Sequence, residues 1–356
     1  MATHHHVDLN GEVYTVVDAA ETVYQAVLVG SATDEIFGAL DAPGFAVQLT
    51  RGDLRAKAFR NGSYAVSGYP GQSFPQLATK SYTVNYTLTA PGFRDLPASA
   101  TIPSGASLPI AETAAMRRLP VRIQGQVVSY ASRTPIAGAL ILSVDDPSTP
   151  PSVHITAMRS PLSFAHASGA SVRQVAIAVT GTSQLAQAVH GGDAVLDLTS
   201  RAGLAPGSIV RITSDMGVRM EYGVVDSLGP GAPSDSGAVL LRSSIVRSYT
   251  VAATTVEFVE VTPAGAAASL SSDADSGDGV LLASQPLSHT VAIESGSPRA
   301  EIHEVGALSD SDGYYGLDGI GRTRDVFLQA SKAALQQTAD WFVQYDQPVN
   351  SVDFRF

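Results

Sequence analysis

The sequence has no cysteine, which excludes disulfides, thiolate metal sites and a cysteine nucleophile. Charge is the next shortage. Among 356 residues there are 22 Lys+Arg and 33 Asp+Glu, 15% of the chain, against about 25% in an ordinary soluble protein. Long apolar runs are missing as well: hydrophobic content is 44%, yet no stretch approaches the ~18 apolar residues of a membrane-spanning helix. No membrane span is expected, and neither is disorder, because a chain this apolar buries enough surface to offset its ordering entropy. A net charge of −11 argues against nucleic acid as a partner, since phosphate binding rests on clustered Lys and Arg. What remains is a folded protein with a surface rich in Ser, Thr, Ala, Gly and Gln, suited to contact with other protein subunits.

The length predicts two or three domains. Met1 to Asp8 carries neither a basic nor an apolar stretch, so no signal peptide is expected. His4, His5 and His6 are a metal-capable trio, although a solvated terminus accounts for them as well. Farther on, the dominant period is two. Tyr82, Val84, Tyr86 and Leu88 alternate with Thr83, Asn85, Thr87 and Thr89, and Val352, Phe354 and Phe356 alternate with Asp353 and Arg355. Such alternation predicts half-buried antiparallel strands. With 32 Gly and 20 Pro punctuating short runs, the fold class expected is all-β. By propensity, only Asp18 to Val27 and Ser331 to Trp341 read as short helices.

Two segments share a signature. Asn61-Gly62 and Asp312-Gly313 each open a strand carrying Tyr64 or Tyr315, and each is followed by a strand closing on Ala90 or Ala330. A third piece runs through Gly125-Gln126-Val127 and Pro135-Ile136-Ala137-Gly138-Ala139. These residues resemble the carboxypeptidase regulatory-like (transthyretin-like) β-sandwich, whose elements come in the order Gly-x-Val, Pro-Ile/Val-Ala-Gly-Ala, Asp-x-x-Gly-x-Tyr-x-Leu. The resemblance implies one sandwich over residues 1–118 and a second over 119–150 plus 306–356. Between the halves of the second, residues 151–305 read as an inserted β-domain.

The insertion repeats internally. Gly237 to Val251 aligns with Gly279 to Val291, placing Tyr249 opposite His289, and Gly192 to Leu198 is a weaker relative. Gly203-Leu-Ala-Pro-Gly207, Glu221-Tyr-Gly-Val-Val225 and the Gly-x-Val-Leu runs resemble small β-barrel-like modules of phage-tail and tail-like baseplate proteins. That resemblance implies a component of a phage tail or contractile injection particle, assembled in the cytoplasm and later part of a virion or extracellular particle.

No enzyme motif is present. Gly-x-Ser-x-Gly, Gly-x4-Gly-Lys-Ser/Thr, His-Glu-x-x-His and a dinucleotide fingerprint are all missing. His154, His166, His190, His289 and His303 are scattered, and spacing gives no triad. Glu301 and Glu304 flank His303, but acid/base work there needs a pocket that a sequence does not show. No cofactor is expected. Asp273, Asp275 and Asp278, spaced with glycines, offer oxygen ligands of the kind Ca²⁺ takes, without the distal Glu of an EF-hand loop. A solvated turn is the expected role of this loop. Residues 260–320 hold ten acids and one base, −10 + 1 = −9, so the remaining residues carry only −2 of the −11. This concentration predicts an acidic face that selects a basic partner.

The expected function is therefore that of a non-enzymatic structural subunit, a homo-oligomer joined through β-edges. The C-terminal strand with Val352, Phe354 and Phe356 is the expected pairing edge. The alternative is a surface adhesin that binds carbohydrate, with Tyr69, Phe74 and Tyr82 as stacking surfaces.

Overall fold

The computed structural model describes residues 4–9, 12–17, 25–146, 151–232, 234–294 and 300–356. It is almost entirely β, and the chain divides into two compact units, Met1–Leu119 and Pro120–Phe356. In the first, β1 (His4–Leu9) and β2 (Glu12–Val17) form a hairpin, so His4, His5 and His6 lie in a strand. Then come β3 (Gln25–Asp34), β4 (Gly38–Ala39), β5 (Ala46–Leu49), β6 (Arg55–Ala58) and β7 (Ser63–Gly68). After a helical turn α1 (Pro70–Ser73) follow β8 (Tyr82–Thr89), β9 (Leu96–Ile102) and β10 (Ile110–Met116).

One sheet runs β10-β3-β7-β6 with β4 beside β3, the other β5-β8-β9. The period of two supplies each with a buried row: Tyr64 and Val66 from β7, Val84, Tyr86 and Leu88 from β8. These rows share one core, inside which the Tyr64 and Tyr86 hydroxyls bond at 3.0 Å. The Asn61-Gly62 turn forms as its residues demand. Gly62 has φ +81, and a Cβ there would meet the Ala32 carbonyl oxygen at 2.2 Å, so only glycine fits. Of the expected helix at Asp18 to Val27, residues 18–24 lie outside the described ones, and Gln25 to Val27 are strand.

The second unit opens with β11 (Val121–Val128), β12 (Leu140–Val144), β13 (His154–Ala157), β14 (Ser171–Gln184) and β15 (Val195–Leu198). Next are β16 (Ile209–Ser214), β17 (Arg219–Leu228), β18 (Gly237–Leu241), β19 (Thr254–Ser269), β20 (Val280–Ala283), β21 (Val291–Glu294) and β22 (Glu301–His303). It closes with β23 (Ala307–Leu308), β24 (Tyr314–Ile320), β25 (Asp325–Lys332), β26 (Leu335–Phe342), β27 (Val349–Ser351) and β28 (Phe354–Arg355). Two sheets, β24-β11-β27 with β28 also on β11, and β23-β12-β25-β26, enclose a core of Ile123, Val127, Ile141, Leu317, Leu328 and Phe354. Strands before residue 145 thus pair with strands after 306. The intervening region does not stand apart, because Ala157 and Val280 from β13 and β20 enter the same core.

Ser331 to Trp341, expected to be helical, is instead the β25-β26 hairpin. Ala333 turns the chain at φ 51, and Gln337, Ala339 and Trp341 face inward in alternation. Tertiary packing overrides the helix propensity of Ala and Gln.

The remaining strands form two closed rings that share β14 and β19. The first runs from the end of β14 through the start of β19, β16, β17, β18 and β15, and closes through a Leu198–Leu185 bridge. The second runs from the end of β19 through the start of β14, β21 and β22, crosses to β13 by a Met158–Val305 bridge, and closes from β20 through Leu270–Ala283. Each ring has its own core, around Leu196, Val210, Val239 and Tyr249 in one and around Met158, Val172, Leu281 and Val291 in the other. A strand-loop-strand unit recurs four times, its loop anchored by buried Leu162, Leu204, Ile245 or Leu287. The equivalent of Tyr249 is His166, not His289. Tyr249 bridges Val189 and His166 bridges Ala274, and both are buried, whereas His289 is exposed.

Candidate functional site

The residues singled out in the sequence are mostly committed to the fold. β27 and β28 pair parallel with β11 of the same chain, Arg122 opposite Val349 and Val127 opposite Phe354. Val352 and Phe354 are buried in the sandwich core and Phe356 packs against it. Val352 and Phe354 are therefore core residues by their side chains, while β27, paired with β11, stands at the end of its sheet among the described residues. Tyr69 is half-buried, and its carbonyl accepts the Gln72 and Ser73 N–H groups that open α1. Phe74 is buried, its ring 5.4 Å from that of Tyr82 in an edge-on contact. Phe74 is thus withdrawn from solvent, while Tyr82 is half-buried.

The acidic stretch is spent internally in part. Asp273 accepts the Ser168 N–H at 2.8 Å and Asp278, itself buried, accepts the Asp275 N–H at 2.9 Å. Glu304 accepts the Tyr222 and Thr290 hydroxyls, Asp310 caps the turn before β24, and Asp318 pairs with Arg122 and Arg247. Part of the acidic stretch over residues 260–320 is thus committed to turn caps and ion pairs, while Glu260, Asp273, Glu294 and Asp312 are exposed. Among the described residues no His, Cys, Asp and Glu cluster of three or more could hold a metal ion. No helix there is long and apolar enough to cross a membrane.

Two buried carboxylates occupy equivalent places in the two rings. Glu221 of β17 accepts the N–H groups of Val246 and Arg247 at 2.8 and 3.1 Å. Glu301 of β22 accepts those of Ser163 and Phe164 at 2.7 and 2.8 Å. In the second ring histidines join in. His166 Nε2 lies 2.7 Å from Glu301 Oε1, His303 Nε2 lies 3.1 Å from Oε2, and His303 Nδ1 lies 3.1 Å from Ser160 Oγ. With Nε2–H donating to the carboxylate, Nδ1 is the acceptor of the Ser160 hydroxyl proton.

Burial pushes both carboxyls up. At Glu221 burial prevails and the pKa is raised despite the two backbone donors. At Glu301 the hydrogen bonds from His166 and His303 outweigh burial and hold the pKa at about 2. Ser160, His303 and Glu301 thus have the connectivity of a nucleophilic serine site. The cavity beside them is only about 20 Å³, room for one water. Ser160 itself is buried, and the cluster ties the loop after β13 to β22. Sequence reading noted Glu301 beside His303 but did not join Ser160 and His166 to them, because these lie 135 or more positions away. A signal was nevertheless present: Arg159-Ser160-Pro-Leu162 parallels Arg242-Ser243-Ser-Ile245, and Arg299-Ala-Glu301 parallels Arg219-Met-Glu221.

An open depression of about 770 Å³ lies over the outer face of the β24-β11-β27 sheet. Alternation along these strands sends Gln124 and Gln126, Tyr314 and Asp318, and Ser351 into its floor. Arg219, Arg247 and Ser248 from the first ring form a wall. Arg122 donates to Asp318 Oδ1 at 2.7 Å and Arg247 to Asp318 Oδ2 at 3.2 Å, while Arg219 pairs with Asp215 at 3.1 Å. Gly316 leaves space for the Arg122 guanidinium, which a Cβ there would meet at 2.3 Å.

No family model matches the chain, and no curated protein matches it. Two solved structures are similar at 7% identity, covering 94% of this chain and 99% of their own. They are the crystal structures of BcpA, the major pilin subunit of Bacillus cereus, at a TM-score of 0.21, and of a variant of it at 0.23.

Proposed function

We propose that this chain is a non-enzymatic subunit of a larger protein assembly, bound to further copies of itself through an open strand edge. Strand β26 carries the reading. It is eight residues long and, among the described residues, it pairs on one side only, with β25, and ends the sheet. Its one charged residue is Asp340, and Leu335 and Phe342 are 48% and 47% exposed. Solitary proteins blunt such an edge with lysine, proline or a bulge, because its free N–H and C=O groups template pairing with another chain. Antiparallel pairing of two β26 strands gives a self-complementary twofold contact. The sequence resemblance to tail and baseplate modules makes a phage tail or contractile injection particle the assembly we propose.

Sedimentation of the full chain over a concentration series tests this reading. Self-association is expected for the unaltered protein and its loss in Thr338→Lys/Phe342→Lys, with an unchanged melting temperature. A monomeric unaltered chain, or a lysine variant that still associates, overturns it.

A further inference from the structure

We propose that the groove over the β24-β11-β27 sheet binds a neutral oligosaccharide, an activity separate from subunit assembly. Its volume of about 770 Å³ falls within the ~300–1,000 Å³ of small-molecule sites. The lining is mainly polar, unlike that of a site for an apolar ligand. Ionic ligands are disfavoured by the charges themselves: the lining holds Arg122, Arg219 and Arg247 against Asp310, Asp318 and Asp353, which leaves no net charge, and Asp318 pairs with both Arg122 and Arg247. Asp353 and Asp310 spend carboxylate oxygens on the Gln126 and Tyr314 N–H groups. What the floor offers is a flat field of planar amide, carboxylate and guanidinium groups that both donate and accept. Adjacent sugar hydroxyls, which do both, match this field.

An aromatic platform stands beside that field. Tyr314 is 57% exposed at the rim, and its neighbour on the same face is Gly316, so no side chain stands between the ring and the floor. A sugar ring laid against Tyr314 puts its apolar C–H face on the aromatic face while its hydroxyls point to Gln124, Gln126 and Ser351. Peptides and nucleotides fit less well, because the first brings backbone groups that need a strand edge and the second brings phosphate to a site without net positive charge.

Calorimetric titration of the full chain with maltohexaose, cellohexaose, chitohexaose and laminarihexaose tests the proposal. At least one is expected to bind with a Kd of about 1 mM or tighter, and Tyr314→Ala to weaken that binding at least about tenfold. Raising the salt is expected to change Kd by less than roughly twofold, since no ion pair forms with a neutral ligand. Gln124→Ala is expected to weaken it too, with both variants melting as the unaltered chain does. Failure of all four sugars to bind, unchanged affinity in Tyr314→Ala, or a steep fall of affinity with salt overturns the proposal. The lysine variant at the β26 edge should bind sugar normally, so this test and that of assembly fail independently.

Discussion

The two rings place a glutamate at the same position, on the same kind of strand, over the same kind of loop, and they bias it in opposite directions. In the first ring Gly223 and Tyr249 surround Glu221; in the second His303 and His166 stand at those places around Glu301. Two backbone N–H groups, with help from the Tyr249 hydroxyl and the Arg247 charge, do not overcome the cost of burying a charge, and the Glu221 pKa is raised. Two imidazoles added to the same pair of N–H groups reverse the balance. Burial is the largest influence at both carboxylates, and whether the groups around them outweigh it sets the direction of each shift.

The first ring compensates elsewhere. Arg201, fully buried, donates to the carbonyls of Gly229, Pro230, Ala232, Asp235 and Ala238 at 2.7–3.4 Å. Gly237 keeps its place vacant of a Cβ, which would meet the guanidinium at 3.1 Å. The largest effect expected from breaking the comparison is therefore Arg201→Met. Several buried carbonyls lose their donor at once, and a loss of about 3–5 kcal/mol in urea unfolding is expected.

Glutamine in place of each glutamate sharpens the contrast directly. Glu301→Gln is expected to cost about 3 kcal/mol at pH 7, the worth of a pKa held near 2 in place of 4.5. Glu221→Gln is expected to cost less than Glu301→Gln, because burial already disfavours the charged carboxylate at that place. Their pH responses have opposite signs. The lowered Glu301 pKa contributes stability above pH 4.5 that is lost as pH falls from there toward 2. The raised Glu221 pKa contributes stability below pH 4.5 that is lost as pH rises through the raised value. Melting curves of the two variants between pH 7 and 3 check both signs: the deficit of Glu301→Gln should shrink on acidification.

The smallest expected effect separates the serines. Ser160→Ala removes the donor to His303 Nδ1 and should cost about 1 kcal/mol, whereas Ser243→Ala, in the ring without that histidine, should cost about half a kcal/mol or less. Equal costs in chemical unfolding would show that the Ser160–His303 contact adds nothing.

Much of this architecture was legible in the residues. The period-two rows of β8 and β7 and the Asn-Gly and Asp-Gly turns follow from local geometry alone, and all of them form. The β25-β26 hairpin was not legible, because Ala334, Gln336 and Gln337 favour a helix locally and only packing against the sandwich core selects the strand. The C-terminal alternation was read correctly as a strand, but its partner was not legible: nothing local says that Gly125, where a Cβ would meet the Val352 carbonyl oxygen at 1.7 Å, leaves β11 bare for that strand to settle on. The Glu301 cluster joins Ser160, His166 and His303 across more than a hundred positions, a distance that spacing rules do not span.

The long pair β14 and β19 begins in one ring and ends in the other. Gln184 stands opposite Thr255 in the first ring, and Ser171 opposite Ser269 in the second. A slip of one residue would turn the buried rows of both rings outward together, so neither ring can change its register alone. The bulges at Arg173/Val175 and Val179/Gly181 act as stops against that slip, the second with Phe258 packed where a Cβ on Gly181 would lie. The ribbon is thus a splice, and tension along it is carried in shear by a whole row of cross-strand bonds at once.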